Sequence, residues 1–504
     1  MTTPPRDAAK PAVAASPSAV APDARVTPAP GTARLPAGAH LQRPLSLPQA
    51  LLWALGAVIC FHLAYSSPIL SYFVLGYLLC LVQLARLATG RQAFYVGLAV
   101  GLFAVAPQLY CFWVIFGRSA IVLWLILAFW IGLFVSLARL CLLAFGPLRG
   151  ALLVPLIWTG LEYFRSELYY LRFSWLNVGY ALSGSPVSPL FHWLGTYGTG
   201  FLAMAAAVTV SLLRPKRAAL FAFRLTLLVI VLLFLHAYFN FNKSQNTTGK
   251  SVLVAGVQLE FPTDAEVLIA LDKLLVSDPA TELLVLSEYT FDGPVPEKIR
   301  NWCREHQRYL IVGGKDPAPK SNFYDTAFVV GPAGDIVFRQ VKSVPIQFFK
   351  DGLPATEQKL WDSPWGKIGL CVCYDLSYTV VIDRLIRNGA QAIIVPTMDV
   401  VDWGRRQHEL HARVAPVRAA EYGIPIFRVA SSGISQCVDR NGQVLAKADF
   451  SGEGQAIAGQ LVLANAGSLP LDRWWAPFCT GATGLIACLL FRSWSSRQRT
   501  SSLP

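Results

Sequence analysis

Three polar residues each close an apolar run in the second half of the chain: Glu288 in LSEYTFDG, Lys342 in RQVKSVP and Cys373 in GLCVCYD. Together they hold what acyl transfer through a thiol requires. A cysteine at its ordinary pKa is only slightly ionised at neutral pH, so it needs a base or a cation beside it. A carboxylate can take the thiol proton and hand it to the leaving group. An ammonium beside the reacting carbonyl can stabilise the oxyanion, together with the backbone N–H after the cysteine, here that of Tyr374. Cys373 reads as the end of a strand that turns into a helix, which holds the thiol on a tight, exposed turn. Cys371 reads as packing, and a Cys-Val-Cys triplet alone is a weak metal or redox signal. Taken singly, the three residues have ordinary readings as a rim glutamate, a solvated lysine and a core cysteine. The order Glu, Lys, Cys at successive strand ends is what makes them a site.

The elements that must carry these residues lie between about 250 and 466. Strand-like runs alternate with helical patterns. SVLVAGVQLEF precedes a helix over 264–277, ELLVLSEYTF precedes one over 296–307, and YLIVGGKD is a further strand. DTAFVVGPAGDIVFRQVK reads as a hairpin around Gly-Pro-Ala-Gly. KIGLCVCYD leads into a helix over 379–388, and QAIIVPTMD into one over 405–422 that Pro416 should kink. IPIFRVASSG and a second hairpin in SQCVDRNGQVLAKAD close the region. The pattern is α/β, and such folds collect active groups at the carboxyl ends of strands.

The rest of the chain has another character. Of 504 residues, 54% are hydrophobic and 14% charged, so membrane spans come first among the explanations. Residues 1–45 are Ala/Pro-rich and read as a disordered tail. Apolar runs of spanning character follow at 48–66, 68–87, 92–117, 120–146, 149–163, 188–213, 218–239 and 474–491. The stretch 250–466 holds 22 Lys+Arg and 25 Asp+Glu, so the +13 net charge comes from the remainder. Basic excess in tails and short loops is a signature of membrane topology and argues against nucleic acid as a partner. With eight spans, 16 basic residues fall on the side of both tails and five on the other. The tails are then cytoplasmic and the 250–466 region lies outside.

Glu288, Lys342 and Cys373, with the runs GPAGDIVFRQVK, NGAQAIIVPT and HARVAPVRAAEYGIPIFRVASSGIS, resemble the nitrilase (carbon–nitrogen hydrolase) superfamily. Such a domain placed before the last of eight spans is similar to the apolipoprotein N-acyltransferase family. The segment WTGLEYFRSELYYLRFSWLNVGYALSGSPVSPLFHWLGTYGTGFL resembles that family too. The resemblance implies a membrane α-helical bundle of eight spans plus an α/β nitrilase-like domain, an α-β-β-α sandwich. The domains are then a cytoplasmic tail over 1–45, seven spans within 46–240, a periplasmic catalytic domain over 250–466, an eighth span over 474–491 and a cytoplasmic tail over 492–504. It implies a multi-pass protein of the bacterial inner membrane, expected as a monomer. The reaction would be ping-pong acyl transfer with no cofactor and no metal. Cys373 would take an acyl chain from a phospholipid as a thioester. Glu288 would be base and then acid, and Lys342 would stabilise the oxyanion. The acceptor would be the α-amino group of a diacylated lipoprotein. The alternatives are an acyltransferase acting on another periplasmic amine, a membrane-anchored carbon–nitrogen hydrolase, or a degenerate scaffold.

The chain departs from the family pattern in places. Asp375 stands where Glu is usual, one methylene shorter, so a group reaching through it would fall about 1.5 Å short. After Lys342 the family's supporting Glu is replaced within SVPIQFFK, leaving Gln347, Asp351 or Glu357 as substitutes. MDVVDWG keeps only Trp403 and Gly404 of the corresponding family run. Tyr374, Asp375, Gln347 and Trp403 are therefore the supporting or substrate-binding candidates.

Overall fold

The computed structural model describes residues 43–213, 224, 249–450 and 454–501. Apart from residues 43–45 and 224, the expected disordered tail and the run 218–239 lie outside these described residues. The helical part comprises α1 (Leu47–Ser66), α2 (Phe73–Leu84), α3 (Gly90–Gln108), α4 (Cys111–Phe116), α5 (Ala120–Ala144), α6 (Gly146–Tyr163), α7 (Val178–Ala181) and α8 (Pro189–Leu212). Four helical stretches among the described residues, 47–66, 111–144, 189–212 and 472–492, are long and apolar enough to cross a membrane. Three expected spans differ, and one of them, 149–163, is the 18-residue α6, which is not among those four stretches. The run 68–87 is a 3-10 turn followed by α2, whose 12 residues are too few to cross a bilayer unaided. The run 92–117 breaks after Gln108, because Pro107 cannot continue the hydrogen-bond ladder, and resumes as α4. Helices α3 and α5 meet backbone to backbone: a Cβ on Gly101 would lie 2.8 Å from Ala128 Cα, the close approach that small residues permit.

The sheet part is built from β1 (Lys250–Val257), α9 (Asp264–Ser277), β2 (Leu283–Val285), α10 (Glu297–His306), β3 (Tyr309–Ala318), β4 (Asn322–Val330) and β5 (Ile336–Val341). There follow β6 (Leu360–Ser363), β7 (Gly366–Leu370), α11 (Thr379–Arg387), β8 (Ala392–Thr397), α12 (Arg405–Ala412), α13 (Val414–Tyr422), β9 (Ile426–Ala430), β10 (Ser435–Val438), β11 (Val444–Ala448) and β12 (Ala456–Leu463). They form two six-stranded sheets, ordered β12-β1-β2-β3-β4-β5 and β11-β10-β9-β8-β7-β6. The two-residue period of strands sorts the side chains. Val254, Leu283, Val285, Ile311 and Val329 share one core with the second sheet. Their neighbours Ala255, Leu284, Leu286, Leu310 and Phe328 pack with α9 and α10 in another. Ile382 and Leu385 of α11 and Val414 and Val417 of α13 cover the second sheet's other face. The result is a helix–sheet–sheet–helix sandwich.

The expected helix over 405–422 is two helices, parted at Arg413 rather than at Pro416. Proline tolerates the first turn of a helix, and parting one turn earlier puts Pro416 there. A final helix, α14 (Asp472–Ser501), returns to the helical part.

The two parts are locked by buried charge. Arg418 of α13 donates to the carbonyls of Leu376 (3.1 Å) and Ser377 (2.7 Å), just beyond Cys373. Glu421 accepts from the Thr196 N–H of α8 at 3.0 Å. Arg473 pairs with Asp383 at 2.8 Å. Asp472 accepts from the Tyr197 N–H at 2.9 Å, an approach that needs Gly195 in the left-handed region at φ 70°, since a Cβ there would lie 2.1 Å from the Asp472 carboxyl carbon.

Candidate active site

Glu288 follows β2, Lys342 follows β5 and Cys373 follows β7, so strand ends of both sheets converge. Gly313 donates to the Ser287 carbonyl at 3.1 Å, fixing the segment before Glu288. The β4–β5 hairpin pairs Thr326 with Val341, and the next rung, Lys342 N–H to the Asp325 carbonyl at 2.8 Å, seats Lys342 beside Asp325. The strand carrying the cysteine stops at Leu370, and Cys373 opens a 3-10 turn, Cys373–Ser377. Its φ of 49° is one that residues with a side chain rarely adopt. Such strain persists only where the surroundings enforce it, and it collects at functional sites. The turn is not exposed, however: Cys373 is 2% accessible, because the helical part lies over it.

The three side chains form one buried hydrogen-bonded group. Lys342 Nζ lies 2.7 Å from Glu288 Oε1, 2.8 Å from Asp351 Oδ2 and 3.3 Å from Asp325 Oδ2. The carboxylates of Glu288, Asp325 and Asp351 lie close enough together to suggest a cation site, and the Lys342 ammonium fills it. Glu288 Oε2 accepts the Met398 N–H at 2.7 Å, and the Cys373 thiol donates to the Met398 carbonyl at 3.7 Å, so Met398 links the acid to the thiol. Burial works against ionising Glu288, yet Lys342 and the bonds from Asp325, Lys342 and Cys373 hold it below its ordinary pKa. Burial, with Glu288 alongside, pushes Asp325 well above the carboxylate range. Burial would lower Lys342, but the surrounding carboxylates raise it well above the lysine range. The Cys373 thiol is pushed up by burial and then by Glu288. At neutral pH the group is thus a carboxylate between an ammonium and a neutral thiol, the arrangement for general-base activation.

The supporting residues fall out differently. Of Gln347, Asp351 and Glu357, Asp351 is the one that reaches Lys342, and it also holds the Tyr289 hydroxyl at 2.8 Å and the Ile346 N–H at 2.7 Å. Gln347 is turned away and donates to the Tyr170 carbonyl at 2.9 Å. Glu357 is paired with Lys359 near the surface. Asp375 is fully buried and accepts from the N–H groups of Val344 (2.8 Å), Ser343 (3.0 Å) and Val372 (3.3 Å). The expected shortfall is absent, because the backbone after Lys342 comes to Asp375. This carboxylate therefore ties the lysine's loop to the cysteine's turn.

Tyr374 and Trp403 line an apolar cavity of about 110 Å³ between α4, α5 and the loop 346–349. Phe112, Phe116, Leu123 and Leu127 form its helical wall, and Ile346, Phe348 and Phe349 the facing one. Trp175 reaches in from the helical part, donating to Ser377 Oγ at 2.9 Å and stacking on His411 at 4.5 Å. Trp361 is buried in β6 against Tyr309. Arg406 of α12 bonds the Tyr65 carbonyl of α1 at 2.8 Å.

Asp325 was missed in the sequence, although the hairpin register places it opposite Lys342. A second buried group behind the nucleophile was missed as well: Asp399 pairs with Arg428 at 2.5 Å and His411 at 2.8 Å. It joins separate strands and helices, so no local spacing marks it.

Residues 50–209 match the family described as apolipoprotein N-acyltransferase N-terminal domain, and residues 267–470 match carbon-nitrogen hydrolase. The chain is similar to the apolipoprotein N-acyltransferase of Geobacter metallireducens, 24% identical over 80% of this chain and 88% of that one. It is similar to that of Shewanella oneidensis, 23% identical over 64% and 71%. Omega-amidase NIT2 of Mus musculus is 27% identical over 31% of this chain and 63% of its own length.

Proposed function

We propose that the chain is an apolipoprotein N-acyltransferase-like enzyme that moves an acyl chain from a phospholipid, through a Cys373 thioester, to the α-amino group of a diacylated lipoprotein. The observation that carries this reading is the buried Glu288–Lys342 pair, 2.7 Å apart and joined to the Cys373 thiol through Met398, beside an apolar cavity that begins at Tyr374.

In the first half-reaction Glu288 takes the thiol proton and Cys373 Sγ bonds to the ester carbonyl carbon. Lys342 and the Tyr374 N–H meet the oxyanion. As the carbonyl re-forms, the ester C–O bond breaks, and the leaving lysophospholipid hydroxyl takes the proton from Glu288. In the second half-reaction the acceptor amine bonds to the thioester carbonyl carbon and loses its proton to Glu288; the C–S bond then breaks, and Glu288 returns that proton to the Cys373 sulfur, restoring the thiol. The cavity holds the acyl chain and excludes water, which favours the amine over hydrolysis. The domain limits read from the sequence, the inner membrane and the periplasmic side of the sheet part belong to the same proposal. Aromatic side chains exposed near the cavity, Tyr110 and Phe348 among them, suit a headgroup-level position.

The test is transfer itself. The purified full chain is loaded from a phospholipid with a labelled acyl chain, then given a diacylated lipopeptide. The label should leave the protein and appear as an amide on the peptide's terminal cysteine. Release only as free fatty acid would replace acyl transfer with hydrolysis.

A further inference from the structure

We propose that Arg172 recognises the phosphodiester of the acyl donor, so that the cavity selects a glycerophospholipid by an acyl chain and its phosphate together. The inference rests on the acyl-transfer reading and assigns a residue to its donor. Arg172 is the one charged side chain lining the cavity. Its carbonyl accepts from the hydroxyls of Tyr374 and Tyr378, each at 3.4 Å, which ties it to the turn that carries Cys373.

Its guanidinium lies over the Tyr378 ring, 5.0 Å from the centroid. Nη1 donates to the Glu167 carbonyl at 3.3 Å. Nε is buried without a hydrogen-bond partner, and among the described residues no carboxylate pairs with this cation. The nearby Glu167 carboxylate is engaged elsewhere, by the Tyr197 hydroxyl at 2.7 Å and the Thr379 N–H at 3.2 Å. Arg165, seven residues earlier, is the contrast: it has Asn177 Oδ1 at 2.8 Å, the Phe173 carbonyl at 3.3 Å and Glu162 at 4.0 Å.

A guanidinium offers five donors in a planar fork. Leaving Nε unused beside an apolar cavity costs free energy that an anion recovers, and phosphate fits the fork bidentately. An ester-linked acyl chain carries no carboxylate of its own. The anion that arrives with it is the phosphodiester.

The experiment is equilibrium binding to the full-length Cys373→Ala protein in detergent, read by native mass spectrometry. The probes are a lysophosphatidylglycerol and a monoacylglycerol with the same chain. The lysophospholipid should bind about tenfold more tightly, the scale of one hydrogen bond to a charged group. In Cys373→Ala/Arg172→Gln that advantage should vanish with monoacylglycerol binding unchanged, and Arg172→Lys should restore part of it. A preference that survives Arg172→Gln overturns the proposal, as does an equal loss for both lipids, which would make Arg172 a packing residue. Loss of the advantage in inorganic phosphate would make this a free-phosphate site and overturn the lipid assignment. Binding is read without the nucleophile, so failure of thioester chemistry would sink the acyl-transfer reading and leave this result standing.

Discussion

Asp351 Oδ2 lies 2.8 Å from Lys342 Nζ, and this contact places a second fixed carboxylate against the cation that faces the thiol. Asp351→Ala should slow thioester formation about 100-fold, the scale of losing one preorganised oxyanion donor, because Lys342 is then held by Glu288 and Asp325 alone. Asp351→Glu should recover part of the rate, and Glu357→Gln should leave it unchanged. The check is the single-turnover acylation rate of each variant, with thermal unfolding to register the cost of opening a buried ion pair.

Asp375 supplies a pH dependence. Burial pushes its pKa up to about 6, against the bonds from Ser343, Val344 and Val372 and the nearby Lys342. That lies above the ordinary carboxylate value near 3.9, so the folded chain takes up this proton before the unfolded one. Falling pH therefore does not weaken the fold through Asp375. It does make the carboxyl a poorer acceptor for the N–H groups that tie Lys342's loop to Cys373's turn. Acylation should lose rate on the acid side with a midpoint near 6, and Asp375→Asn should be slow throughout and lack that limb. A limb that persists unchanged in Asp375→Asn would assign it to another group.

Trp175 joins the helical part to the nucleophile's turn through the Ser377 hydroxyl. Trp175→Phe keeps the ring and removes that bond, worth about 1 kcal/mol. The expected result is a fall in acylation rate of several-fold with a small shift in unfolding temperature. An unchanged rate would show that the turn is held from the sheet side alone.

Leu123 lines the cavity on α5. Leu123→Trp should fill part of it and shift the preferred donor to shorter acyl chains, read from competition between phospholipids of different chain length. Equal loss for all lengths would place the chain elsewhere.

The strand ends carrying Glu288, Lys342 and Cys373 were legible because each closes an apolar run in an α/β pattern. Asp325 was within reach, since the hairpin register sets it opposite Lys342. What the sequence concealed was backbone placement. Asp375 looked too short, yet the Ser343 and Val344 amides approach it. The choice among Gln347, Asp351 and Glu357 depended on the path of loop 343–351, which no periodicity records. The burial of Cys373 was hidden for a related reason: its turn packs against Trp175 and Arg172, some two hundred residues away in sequence.

The central claim is a thioester on Cys373, and intact mass of the full-length protein tests it most directly. After incubation with phospholipid and no acceptor, the wild type should gain the mass of one acyl chain, removable by neutral hydroxylamine. Cys373→Ala should gain nothing, and Cys371→Ala should behave as wild type. An unmodified wild-type protein under these conditions, or an adduct that survives Cys373→Ala, would contradict the account.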